Sequence, residues 1–494
     1  MEQFDVVIIG SGLGGLLCGY ILGREGFSVG ILEKHTQTGG NLQNFTRQGH
    51  SFDTGIHYIG SMAPGQTLHQ YWKFAGLTGK LNIQQLDVDG FDRVTLGEAE
   101  YPLAQGFENF IERLSSCFPD ERQAVASFIE RILVISKSFP LYNLEFSKGY
   151  PGGIHRAQNA YNFIESLSFN PRLAGVLAGN NFLYAGNKHK TPLYIAALIN
   201  HSFISSAWRL EGGSRQIADV LVQGIIEQGG RVFTRVEVTG ISHEGDEFRL
   251  ETKEGEEFIS SILISNTHPS STLKMLAPGL LKKSYRQRVQ SLENSVSSFI
   301  LNIILKPGTF PYLNYNIHYF RNEKVWTSES SKGARWPENY LMYTPLHGPV
   351  ETYARTIIIM TYMQFDEVRK WEVSRQGKRG KDYLAFKQER TERLLNLVEK
   401  KFPGLKACIE YSEASTPLTY RDYTGSPEGS LYGISKDCND TLMTTVLPRT
   451  KIPNFFFTGQ NISLHGALGV TIGALLTCGE ILGMEYLMHK IKQV

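Results

Sequence analysis

Two short stretches hold residue types able to do chemistry. Gly10-Ser11-Gly12-Leu13-Gly14-Gly15 has G-x-G-x-x-G spacing, and Glu33 follows at about the twenty-residue interval of a dinucleotide fingerprint. Glycines there let the backbone approach a pyrophosphate, whose charge is stabilised by the open N–H groups and dipole of a following helix. An acid at Glu33 accepts hydrogen bonds from a ribose and disfavours a 2′-phosphate. The second stretch is FDTGIHYIG, residues 52–60. Gly55 lets the chain lie against a flat ring, and Asp53 reads as a turn cap. His57 and Tyr58 are candidates for proton transfer to a reacting carbon, and His465, just ahead of a glycine-rich run, is a third. For each of these the bland alternative is a hydrogen-bonded core side chain.

The elements that must position these residues follow from periodicity. FDVVII (4–9) predicts a strand, LLCGYILGREG (16–26) a helix and SVGILEK (28–34) a second strand, which together make a βαβ unit with a parallel sheet. Residues 76–204 read as mostly helical, as in FENFIERLSSCF (107–118) and ERQAVASFIERILVISKSF (121–139), with GYPGGI (149–154) as a loop. The stretch 210–241 predicts a turn, a helix closed by Gly229-Gly230 and two strands, and FRLETKEGEEFISSILISN (248–266) a hairpin and a strand. Further on, SSFILNIIL and RTIIIMTYM read as strands, and DYLAFKQERTERLLNLVEKKF (382–402) as a helix whose charges need no role beyond solubility. The fold class is therefore α/β, a Rossmann-like nucleotide domain interrupted by an inserted α+β substrate domain. Residues 1–75, 205–285 and 440–494 are assigned to the first, 76–204 and 286–439 to the second.

Composition removes several classes of function. Of 494 residues, 50 are Lys or Arg and 48 Asp or Glu, so a net charge of +2 gives no global field for nucleic acid. Five scattered cysteines without a C-x-x-C pair argue against a disulfide framework and a zinc site, and no metal is expected. The start, MEQFDVVIIG, lacks the basic region of a secretory signal, and the apolar run 466–484 is broken by glycines and carries Glu480. The expected location is the cytoplasm, with peripheral visits to the cytoplasmic membrane.

A second doublet, Gly39-Gly40, follows the acid and suggests chain running along a longer, two-part cofactor, which favours FAD over NAD. The chain resembles the flavin-dependent phytoene desaturase and retinol saturase family (carotenoid saturases and isomerases) of the flavin amine oxidase superfamily, whose nucleotide domain is of the GR2 type. The resemblance rests on LEKHTQTGGNLQNF, FDTGIHYIG, INHSFISSAWRLEGGSRQIADVLVQGIIEQGGRV, TPLTYRDYTGSPEGSLYG and NFFFTGQNISLHGALGVTIGALL, spread over nearly the whole chain.

It implies FAD phosphates at Gly10, Gly12 and Gly15 with Ser11 and Gly14 alongside, ribose at Glu33 beside Lys34, and adenine at Val236. It further implies the far pyrophosphate and ribityl chain at Thr458, Gly459, Gln460 and Asn461, cofactor contact along Gly39, Gly40 and Asn41, and the flavin ring by Gly55, His57, Gly469, Val470 and Thr471. Many superfamily members carry arginine where this chain has Asn41. Tyr184, His201 and Tyr432 are expected to line the substrate site.

The implied activity is flavin hydride transfer, coupled to a proton, that saturates, desaturates or isomerises C=C bonds of an apolar retinoid, carotenoid or unsaturated lipid. With no second βαβ fingerprint, NAD(P)H or another carrier would dock transiently as reductant. An amine oxidase-like enzyme and a non-catalytic prenyl or lipid escort of the same fold stand as the alternatives.

Overall fold

A computed structural model describes residues 1–147, 153–348 and 352–494, so the loop expected at 149–154 lies, up to residue 152, outside the described residues. The β-branched run at the start forms strand Glu2–Ile9, every residue of its second half buried, and the glycine loop turns it into helix Leu13–Arg24. In one sheet the order is Arg231–Thr234, Val29–Glu33, Glu2–Ile9, Glu257–Ser265, Glu247–Thr252 and Val238–Glu244. The first four are parallel. Strand Glu257–Ser265 shares its length between two partners: its first residues pair antiparallel with Glu247–Thr252, and Leu263 to Ser265 pair parallel with Phe455–Phe457. Chain from the C-terminal region thus enters the same sheet, at the same end as the glycine loop.

Helix Gly466–Leu482 then packs on helix Leu13–Arg24, which explains why a long apolar run is buried here. No helix among the described residues is long and apolar enough to cross a membrane.

The second large sheet runs Ile409–Ser415, Ser297–Leu305, Thr356–Met363, Asn339–Tyr343, Asn316–Phe320, Asp92–Leu96 and Ala99–Leu103. Strand alternation divides its side chains between two cores. Phe299, Leu301, Ile357 and Ile359 pack under helix Lys381–Lys401, whereas Ile300, Tyr343, Ile358 and Met360 join the core that also holds the glycine-loop helix. That second face is the one presented to the nucleotide-binding sheet.

The stretch 76–204 is mostly helical as expected, but it also contains strands that the expectation lacked. Asp92–Leu96 and Ala99–Leu103 form a hairpin across a two-residue turn and close one edge of the sheet. A further strand, Ile83–Gln85, pairs with Ala207–Leu210, which also pairs with Ile59–Gly60, so this small sheet straddles the expected boundaries at 75/76 and 204/205.

Candidate functional site

Parallel strands end together, and the residues that follow each one meet in a single crevice of about 420 Å³. Gly10, Gly12 and Gly14 follow the first strand, Glu33 and Lys34 end the second, Val236 follows the strand Arg231–Thr234, Asn266 follows Ser265, and Gly459 follows Phe457. From this nucleotide-side floor the crevice runs to Gly55, His57, Met360, Tyr432 and Val470.

The glycine loop is shaped by close approach. A Cβ at Gly14 would stand 2.8 Å from the Gly459 Cα and 2.8 Å from Asn266 Oδ1, and one at Gly15 only 2.3 Å from the Gly10 carbonyl oxygen. Side chains are therefore excluded from the floor, where open helix N–H groups favour a pyrophosphate. The Asn266 Nδ2 donates to the Gly10 carbonyl at 3.3 Å and ties two of the converging strand ends.

The donor set at one end suits an adenosine and the length suits a second half beyond the pyrophosphate. Glu33 is buried, with one oxygen accepting from Ser11 N at 3.0 Å and Ser11 Oγ at 2.6 Å, and the other from His35 N at 2.9 Å. By these tests the residues present fit a flavin dinucleotide.

At the other end, the Tyr343 hydroxyl meets His57 Nδ1 at 2.6 Å with the rings 4.6 Å apart. That hydroxyl has no other acceptor among the described residues, so it donates to Nδ1 and leaves the ring N–H on Nε2. Burial first, then the Arg209 charge, pushes the imidazole pKa down to about 4. His57 is neutral over the physiological range.

Nearby, Asp53 accepts from Ser214 N at 2.8 Å and Ser214 Oγ at 3.1 Å, yet burial outweighs both and raises its pKa to about 6. The native carboxyl therefore holds a proton that the unfolded chain has released between about pH 4 and 6. Its stabilising contribution is complete below the unfolded pKa and is lost as pH rises through about 6. Asp53→Asn keeps an oxygen for Ser214 and removes the titration. It is expected to gain about 1–2 kcal/mol over the wild type at pH 8 relative to pH 4, read from urea unfolding at both pH values.

A model of the NAD(P)-binding Rossmann-like domain matches residues 8–75. All-trans-retinol 13,14-reductase of Homo sapiens is 28% identical, with 97% of this chain and 86% of that protein covered. Chloroplastic prolycopene isomerase of Arabidopsis thaliana is 23% identical over 98% of this chain and 84% of its own. The chain is thus similar over nearly its whole length to a retinol reductase and a carotenoid isomerase. In fold it is similar to an oxidoreductase from Methanosarcina mazei, with a TM-score of 0.64 at 17% identity, covering 96% of this chain and 99% of that one.

Of the expected site residues, Gly10, Gly12, Gly14, Glu33, Lys34, Gly39, Gly40, Asn41, Gly55, His57, Val236, Tyr432, Gly459, Gln460, Asn461 and Val470 all border the crevice. The other expected site residues lie elsewhere. Ser11 is buried against Glu33, and Gly15 packs the helix onto the loop. Gly469 abuts the Leu464 backbone, while Thr471 donates to the Ala467 carbonyl and accepts from Trp72 Nε1.

His465 does not line the crevice: its Nε2 donates to the Leu183 carbonyl at 2.8 Å and its ring stacks on Tyr432 at 4.2 Å. Tyr184, whose buried hydroxyl has no partner among the described residues, sits against Trp326, and His201 lies against Phe107, both outside the crevice.

Tyr58 is also turned away. Its hydroxyl donates to Asp92 Oδ2 at 2.8 Å, and Asp92 Oδ1 accepts from Asn316, whose own oxygen accepts from the buried Arg209 guanidinium at 2.6 Å. This fully buried network fastens the 52–60 stretch to the second sheet. Tyr58→Phe is expected to cost about 1–3 kcal/mol in thermal or urea unfolding, by leaving Asp92 short of a donor, with turnover unchanged.

The residues that sequence reasoning missed are Asn266, Met360, Tyr343 and Lys436. Lys436 Nζ donates to the carbonyls of Asn461 and Thr444 at 3.1 and 3.2 Å, and burial lowers its pKa to about 7, so it braces the loop after Gly459. A signal existed for Asn266 alone: it ends the stretch 248–266 read as a hairpin and a strand, and a strand parallel to the glycine-loop strand must deliver its last residue to the same edge.

Proposed function

We propose that the chain is a flavin-dependent oxidoreductase that saturates a C=C bond of an apolar polyene. The observation that carries this reading is a crevice built for both halves of a dinucleotide, with a neutral imidazole at its far end, in a chain related end to end to a retinol reductase and a prolycopene isomerase. When bound, the flavin supplies a hydride equivalent to one alkene carbon. The other carbon must then take a proton, so that C=C becomes CH–CH.

His57 would pass that proton from Nε2 as Nδ1 takes the one on the Tyr343 hydroxyl, so that the ring is neutral before and after and the Tyr343 oxygen is reprotonated from solvent once product leaves. Met360, Tyr432 and Val470 contribute apolar surface that excludes water from the reacting carbons.

A substrate of this kind dissolves in a bilayer, so the reading includes peripheral contact with a membrane and a reductant, NAD(P)H or another carrier, that docks transiently. The deciding experiment is product mass after incubating the reduced protein with retinoids, carotenoids and unsaturated lipids. A gain of two hydrogens is the expected result; a loss of two, or equal mass with altered geometry, replaces saturation by desaturation or isomerisation. A colourless protein that cannot be reconstituted with FAD overturns the reading in favour of an escort.

A further inference from the structure

A second cavity, of about 770 Å³, lies beside the crevice and shares Gly40, Gln43, Tyr420, Tyr423 and Thr424 with it as a common wall. It is enclosed by the hairpin Asn44–Arg47 and His50–Asp53, the edge strand Ile409–Ser415 and the first turns of helix Lys381–Lys401. Its volume is within the ~300–1,000 Å³ range of ligand sites. Phe45, Ile300, Ala414 and Leu384 give it apolar walls, but five basic side chains also line it, Arg47, Lys378, Arg379, Lys381 and Lys387, against the two acids Asp53 and Glu413.

The acids do not balance that charge. Glu413 is taken by Arg47, Arg379 by Asp422 outside the cavity, and Asp53 is held by Ser214 with its pKa raised. Lys378, Lys381 and Lys387 have no ion-pair partner among the described residues. Two of the three are exposed at the rim, where solubility accounts for them; Lys387 is half-buried, and burial lowers its pKa. A half-buried ammonium is costly against a hydrocarbon and is satisfied by an anionic, hydrogen-bonding group.

We propose that this cavity is a head-group site for the carboxylate of a long apolar substrate, with Lys387 as its charged group and the chain directed past Tyr420 toward His57. The proposal rests on the polyene reading above and narrows it to acids. Lys378 and Lys381 at the rim would draw an anion in by their field.

The test is equilibrium binding to the full chain, by quenching of intrinsic fluorescence at low salt, of all-trans-retinoic acid, its methyl ester and all-trans-retinol. The acid is expected to bind about tenfold more tightly than ester or alcohol, a charge-assisted preference. Lys387→Met should bring the three within about twofold of one another without weakening the ester, and Lys387→Arg should keep the preference. Equal affinities in the wild type, or a preference that survives Lys387→Met, overturn the site. Cosedimentation with anionic vesicles that depends on Lys387, without any preference for the free acid, assigns the amine to lipid head groups and overturns it as well. A retained preference for the acid without turnover of any polyene would remove the proposed reaction and leave the carboxylate site standing.

Discussion

Gly14→Ala is expected to abolish flavin retention while leaving the chain folded. The added Cβ would fall 2.8 Å from the Gly459 Cα and nitrogen and 2.8 Å from Asn266 Oδ1, and the first two are backbone that cannot rotate aside. The Gly459 loop or the glycine loop must move, and both line the pyrophosphate end of the crevice.

Overpacking of this kind costs about 1–3 kcal/mol, and if it is relieved by separating the two loops the loss falls on the bound state, where about 3 kcal/mol is a hundredfold in affinity. Helix propensity acts in the opposite direction. Gly14 is the second residue of helix Leu13–Arg24, and alanine favours a helix by about 1 kcal/mol over glycine, so global stability changes little. The measurement is the ratio of flavin absorbance to protein absorbance after purification, with circular dichroism to confirm folding. A folded variant as yellow as the wild type would show that the crevice tolerates the methyl and that the close approach has no part in cofactor binding.

The features legible in the sequence are those fixed by local chemistry. The strand, glycine loop, helix and second strand of residues 2–33 are set by β-branched runs and by glycines, and the helix at 382–402 by its period. What escaped was decided by tertiary contact. DRVTLGEAEYPL is a hairpin in the structure, but its alternation lies inside a region rich in helices, and only pairing with the distant strand Asn316–Phe320 makes it a sheet edge.

Tyr58 and His57 are adjacent in sequence, and strand-like alternation sends one to Asp92 and the other to the crevice, a split that residue types alone do not reveal. His465 has the right chemistry beside the right glycines, yet a backbone carbonyl from residue 183 claims its nitrogen. Lys387 reads as one more surface charge on a charged helix, because its sequence cannot show that the hairpin and the edge strand cover that turn.

His57→Phe is expected to slow single-turnover flavin reoxidation by a polyene by about 10²–10⁴-fold, the usual range for removing a positioned proton donor. The expected pH dependence separates this role from that of an ordinary histidine. Because burial and Arg209 hold the imidazole pKa at about 4, the neutral form, with its proton on Nε2, is present throughout pH 5.5–8.5. The wild-type rate should therefore be flat across that interval, with no step near the ordinary imidazole value.

Tyr343→Phe removes the hydrogen bond that fixes the tautomer, so the N–H can transfer to Nδ1 and leave Nε2 without a proton to give; a loss of about tenfold is expected from this one hydrogen bond. Substrate binding should change in neither variant, because the interaction removed acts on the reacting carbon and not on the chain of the polyene. Rates that fall along a titration centred near pH 6.5 would mean that a protonated imidazole is the donor. Rates unchanged in both variants would take His57 and Tyr343 out of proton delivery and return them to the packing of the crevice wall.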